Sequence, residues 1–154
     1  MIQRIQSLYL LVASLLTSLL LFLNTALIQT SDNLLFEFTT QKIVNSFNQE
    51  LLYSQIPLML LTIILIIFGL YIIFQFKKRA FQKKLSWILL VLHLVLIAAV
   101  FYFLGEASKN IPNVVKTTYL FPIVIPFVNV VLVFLAIRGI SNDEALIKAV
   151  DRIR

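Results

Sequence analysis

Cysteine is absent from the 154 residues, which excludes disulfides, thiolate nucleophiles and thiolate metal sites. Charge is scarce. Asp, Glu, Lys and Arg make up 13% of the chain, against roughly a quarter of an ordinary soluble domain. There are three glycines and one histidine, and no P-loop, HExxH pair, EF-hand loop, nucleophile elbow or dinucleotide fingerprint is present. An enzyme is therefore not expected. What fills the chain is apolar: 60% of residues are hydrophobic and mean hydropathy is +0.97. Such figures exclude a disordered chain, a coiled coil and nearly every soluble fold, and predict an integral membrane protein.

A bilayer core about 30 Å thick is crossed by about 20 apolar helical residues. Four runs of that size occur, at about 8–28, 57–76, 85–104 and 119–137. The predicted fold is all-α: one membrane domain of four transmembrane helices arranged as two antiparallel hairpins. Leu8–Ile28 is longer than a signal peptide's apolar region and lacks its small-x-small cleavage pattern, so it is read as an uncleaved span. In the polar segment 29–56, Leu34, Phe36 and Phe38 alternate, which predicts a short strand or a strip on the membrane surface. Ile43, Phe47 and Leu51 are spaced by four and predict a helical turn or two in the interface. A connector carrying Gly105, Glu106, Lys109, Pro112 and Lys116 precedes the fourth run, where Pro126, and Pro122 if the helix begins early, should break backbone hydrogen bonds. Ser141 followed by Glu144 reads as a capping box opening a short amphipathic tail helix over 142–154. Its acidic start (Asp143, Glu144) and basic end (Arg152, Arg154) match the helix dipole.

Basic residues divide unevenly between the two sides implied by this threading. Ten lie with the termini: Arg4, Lys77, Lys78, Arg79, Lys83, Lys84, Arg138, Lys148, Arg152 and Arg154; three (Lys42, Lys109, Lys116) lie opposite. The positive-inside rule then puts both termini in the cytoplasm of a multi-pass inner-membrane protein. Tyr9 and Trp87 at inner ends, with Tyr53, Tyr102 and Tyr119 at outer ends, agree with an aromatic belt. Topology accounts for the formal net charge of +6, so no direct nucleic-acid contact is expected. Lys77, Lys78, Arg79, Lys83, Lys84, Arg138, Arg152 and Arg154, with Asp143 and Glu144, are candidate contacts for anionic lipid or a protein partner.

No Asp, Glu, Lys or Arg falls inside a predicted span, which argues against an ion-coupled transporter. His93 and Asn129 fall at similar depth in the third and fourth spans. They are a candidate interhelical polar pair, or else a proton or ligand site. One histidine without a carboxylate beside it makes no metal site, and no cofactor is expected. Ser14, Thr17 and Ser18 form a small polar stripe suited to close helix packing.

The terminal stretches Met1-Ile-Gln-Arg-Ile-Gln-Ser-Leu-Tyr-Leu10 and Asn142-Asp-Glu-Ala-Leu-Ile-Lys-Ala-Val-Asp-Arg-Ile-Arg154 resemble those of a family of small four-span inner-membrane proteins of Bacteroidota, catalogued only as a domain of unknown function. That resemblance implies a diderm's cytoplasmic membrane and brings no activity or site residues. The functional expectation is a non-catalytic accessory subunit packed against other integral membrane proteins and lipid, with protein-export or envelope machinery as the class. The alternative is a small transporter or channel using His93 and Asn129.

Overall fold

The computed structural model describes residues 3–76 and 78–151. Its helices are α1 (Gln3–Leu19), α2 (Ile56–Phe74), α3 (Arg79–Asn110) and α4 (Ile125–Asp151). Its strands are β1 (Ala26–Thr30), β2 (Leu35–Phe38), β3 (Lys42–Asn45), β4 (Leu51–Ser54) and β5 (Val114–Tyr119). Each helix packs on the next in chain order and α4 returns to α1, closing a four-helix bundle. The strands form one antiparallel sheet in the order β4-β3-β2-β1-β5. The all-α, four-span expectation is therefore corrected. A five-stranded sheet accompanies the helices, and three helices among the described residues, not four, are long and apolar enough to cross a membrane.

The first apolar run is where the reading fails. Its helix stops at Leu19, and the chain tightens through i→i+3 bonds from the amides of Leu20, Leu21 and Phe22. The Thr40 hydroxyl donates to the Leu20 carbonyl at 2.6 Å, satisfying one of the carbonyls a helix leaves open at its end. Residues 26–30 then continue the apolar composition in a different geometry. Ala26, Ile28 and Thr30 are buried and Leu27 and Gln29 half-buried, the alternation of a strand. At 1.5 Å per residue, seventeen residues of α1 span about 25 Å, short of the bilayer core.

The alternation over 34–38 does mark a strand: Phe36 and Phe38 of β2 are buried, while Leu34 lies just outside it and is exposed. The i+4 spacing of Ile43, Phe47 and Leu51 is misleading. Ile43 is buried in β3, whereas Phe47 in the following turn and Leu51 in β4 are exposed. Two of the sheet's turns are closed by non-glycine residues with positive φ, Asn33 at 57° and Gln49 at 55°. Asparagine tolerates that region better than most residues.

The expected connector after residue 104 is also replaced. α3 runs on to Asn110, 32 residues in all, and Val114–Tyr119 adds β5 beside β1, with Leu27 opposite Thr118. Neither proline interrupts a helix. Pro122 lies in a 3₁₀ turn over Phe121–Val124, and Pro126 is the second residue of α4. The Ile125 amide donates to the Pro122 carbonyl, the acceptor that residue 126 would otherwise need an N–H to satisfy. The separate tail helix is corrected too. α4 continues without a break through Asp151, so Ser141 caps nothing and Asp143 and Glu144 lie within the helix.

The bundle is apolar both inside and on its outward surface. On α2 the buried positions are Leu58, Thr62, Leu65, Gly69 and Ile72, while Leu60, Ile64, Ile67 and Phe74 are exposed. The outward faces of α1, α3 and α4 are likewise apolar. Large apolar side chains facing outward, with small or polar residues such as Ser14, Thr17, Thr62, Gly69 and Ser86 set among the apolar helix contacts, are the pattern expected where the surrounding solvent is lipid. Gly69 permits a close approach, because a Cβ there would collide with the Ser14 hydroxyl of α1.

Candidate functional site

His93 and Asn129 are brought together, but through a third residue. The Asn129 amide donates to Thr17 Oγ1 at 2.9 Å, and His93 Nε2 lies 3.4 Å from the same oxygen. The Thr17 hydroxyl in turn donates to the Ala13 carbonyl at 2.8 Å, and His93 Nδ1 sits 2.9 Å from the Leu89 carbonyl. All three side chains are buried, and Asn129 has no exposed surface. A carbonyl acceptor at Nδ1 requires the proton there, leaving Nε2 of a neutral imidazole as an acceptor. The one hydroxyl proton of Thr17 then has two claimants, the Ala13 carbonyl and His93 Nε2. Asn129 Oδ1 has no hydrogen-bond partner. Exchanging the two ends of the amide would orphan the nitrogen instead, so one amide end stays unsatisfied in either orientation. Three helices are thus tied by a polar relay with one open valence in the apolar interior.

A second cluster ties the bundle end that carries the basic residues. The Gln6 side chain donates to Asp143 Oδ2 at 2.7 Å, and Arg79 Nη1 approaches the same oxygen at 3.6 Å. Lys83 lies 3.6 Å from Glu144. Asp143 and Gln6 are buried, so this carboxylate is held between α1, α3 and α4. Lys78, Lys84 and Arg138 are exposed. The side chains of Lys77, Arg152 and Arg154, and of Arg4 and Lys148, lie outside what the structure describes.

The opposite end carries the sheet and two adjoining clefts against α3. One, of about 430 Å³, is a shallow, open depression along α3 itself, lined by Phe101, Tyr102, Gly105, Glu106, Lys109 and Asn110. Its smaller neighbour, about 150 Å³, shares Glu106 and Asn110 and is completed by Tyr53 and Gln55 among others. Among the described residues no group of three or more His, Asp or Glu side chains is arranged to hold a metal ion.

Sequence reasoning found His93 and Asn129 but missed Thr17 as their bridge. It also missed the burial of Asp143 by Gln6. The available signal was helical phase: Gln6, Leu10, Ala13, Ser14 and Thr17 recur at spacings of three and four and form the buried face of α1. Asp143 and Glu144, read as dipole partners of a short tail helix, instead pair laterally with α3. The cleft at Glu106 was invisible because that stretch read as a connector.

The family model described as "Domain of unknown function (DUF4293)" matches residues 2–153. No curated protein and no solved structure matches the chain.

Proposed function

The chain belongs to that family of unknown function, and we propose that it is a non-catalytic accessory subunit of a larger inner-membrane assembly, of the protein-export or envelope class. Its basic end would face the cytoplasm, as the bias of Lys and Arg toward that end suggests, and its sheet would lie on the other side. The observation that carries this reading is the open edge of the sheet. All four residues of β4 are exposed, including Leu51, Leu52 and Tyr53. An uncovered apolar edge strand offers unpaired backbone groups and side-chain contacts to an extended segment of another protein. The apolar outward helix faces supply a second surface, for lipid or a neighbour's spans.

The absence of cysteine makes a test direct. A single thiol introduced at Leu52 or Tyr53 should crosslink, in native membranes, to one defined partner chain. The same thiol at Leu8, on the outward face of α1, should not reach that chain's crosslinked segment. Crosslinks to no protein from either β4 position, together with a monodisperse lone chain across several mild detergents, would overturn the proposal.

The relay favours a second reading as a small transporter or channel, because an orphaned buried amide oxygen beside a histidine is a ready ligand for a proton or small cation. His93→Ala separates the two. A structural histidine predicts a modest stability loss with partner crosslinking retained, whereas a transport role predicts a folded protein whose flux in proteoliposomes is abolished.

A further inference from the structure

We infer that the cleft beside Glu106 on α3 binds the headgroup of a zwitterionic aminophospholipid, with its acyl chain running down over Phe101 and Tyr102. The inference rests on α3 crossing the bilayer. Its stretch free of charged residues, Leu85–Gly105, is centred on Val95. At 1.5 Å per residue Tyr102 stands about 10 Å from that centre, Glu106 about 16 Å and Lys109 about 21 Å. Half the hydrocarbon core is about 15 Å, and the headgroup layer adds roughly 5–7 Å. The cleft therefore crosses the boundary, with its aromatic part at acyl depth and its charged part at headgroup depth.

Its chemistry matches both charges of such a headgroup. Glu106 and Lys109 are three residues apart on one helix face, a spacing that sets Cβ atoms about 5–6 Å apart. Both are exposed, and neither has an ion-pair partner among the described residues. Helical side chains lean toward the helix N-terminus, and the longer Lys109 side chain reaches back further than that of Glu106, which narrows the difference in depth and brings its ammonium toward the phosphate. Glu106 is left to accept hydrogen bonds from the primary ammonium, and the negative C-terminal end of α3 favours the same cation. Phe101 and Tyr102 are exposed toward the apolar side. Phe101 is held by edge-to-face contacts with Tyr119 and Phe127, and Tyr102 by one with Phe103. At Gly105 a Cβ would meet nothing within 4 Å, which leaves open space along α3 for a chain.

The test is native mass spectrometry of the full chain in detergent, titrated with phosphatidylethanolamine, phosphatidylcholine or phosphatidylglycerol of matched acyl chains. Phosphatidylethanolamine should bind about fivefold more tightly than phosphatidylcholine, whose methylated ammonium has no N–H to give. Glu106→Gln should erase that preference, and Lys109→Met should weaken all three lipids. Gly105→Leu, which fills the open space while keeping both charges and favours the helix, should lower occupancy regardless of headgroup. Equal binding of phosphatidylethanolamine and phosphatidylcholine, a preference for phosphatidylglycerol, or an unchanged Glu106→Gln variant would overturn the inference. So would soluble phosphoethanolamine occupying the site as well as the lipid does. A chain that stays soluble and monomeric without detergent would instead defeat the membrane reading itself.

Discussion

The two ends of the bundle are closed by different physics. At the sheet end the chain is held by backbone ladders, with Ile28, Phe38 and Ile43 buried beneath them. At the other end closure depends on a few side chains, Gln6 on α1, Arg79 and Lys83 on α3, and Asp143 and Glu144 on α4. Backbone pairing is nearly indifferent to residue identity, and its energy is spread over many groups. The side-chain closure is specific to residue and geometry, and its exposed part is screened by salt. Stability is therefore diffuse where the sheet sits and concentrated where the charges sit.

The largest effect expected from this contrast is at Phe38, which has no exposed surface. Phe38→Ala should cost about 3–5 kcal/mol through lost burial and the cavity left behind, read as earlier chemical unfolding in detergent. A loss below about 1 kcal/mol would mean that the sheet is not packed on the core. Gly139→Ala tests the opposite end. A Cβ at position 139 would approach Gln6 Cγ to 2.8 Å and Nε2 to 3.3 Å, pushing aside the donor that holds Asp143. That overpacking should cost about 1–3 kcal/mol. In a Gln6→Ala background most of the steric penalty should disappear, so the two substitutions should be strongly non-additive. Simple additivity would show that α1 and α4 do not meet there.

How much of this was legible follows from what periodicity can and cannot see. Residues 57–74 are apolar all round and too long for a strand, so α2 was readable to within a residue or two. The Leu34–Phe38 alternation likewise betrayed β2. But β1, Ala-Leu-Ile-Gln-Thr, adjoins an apolar helix, and composition alone does not reveal where a period of 3.6 gives way to a period of two. β5 was hidden for another reason. Val-Val-Lys-Thr-Thr-Tyr is a good strand sequence, yet its partner β1 is about 90 residues earlier, and no local signal reports that pairing. The relay was half visible. The shared depth of His93 and Asn129 could be counted along two spans, whereas Thr17 as intermediary depends on how α1 is rotated in the bundle. The lateral pairing of Asp143 and Glu144 was missed because a Ser-x-x-Glu spacing also arises by chance inside a longer helix.

The smallest effect sharpens the comparison most. Lys83 and Glu144 form a partly exposed pair at 3.6 Å, and such pairs contribute about 0–1 kcal/mol. Lys83→Met should therefore destabilise by less than about 1 kcal/mol while preserving the aliphatic stem that packs beside the helix. The sign and size should depend on salt. Between about 0.01 M and 1 M the screening length falls from about 30 Å to about 3 Å, so the difference from the parent should shrink toward zero. The Gly139→Ala penalty is steric and should hold its value across that range. If instead both penalties fade together with salt, then the buried Gln6–Asp143 contact is only an extension of the surface charge pattern, and the basic end is closed by diffuse electrostatics and not by the fit of particular side chains.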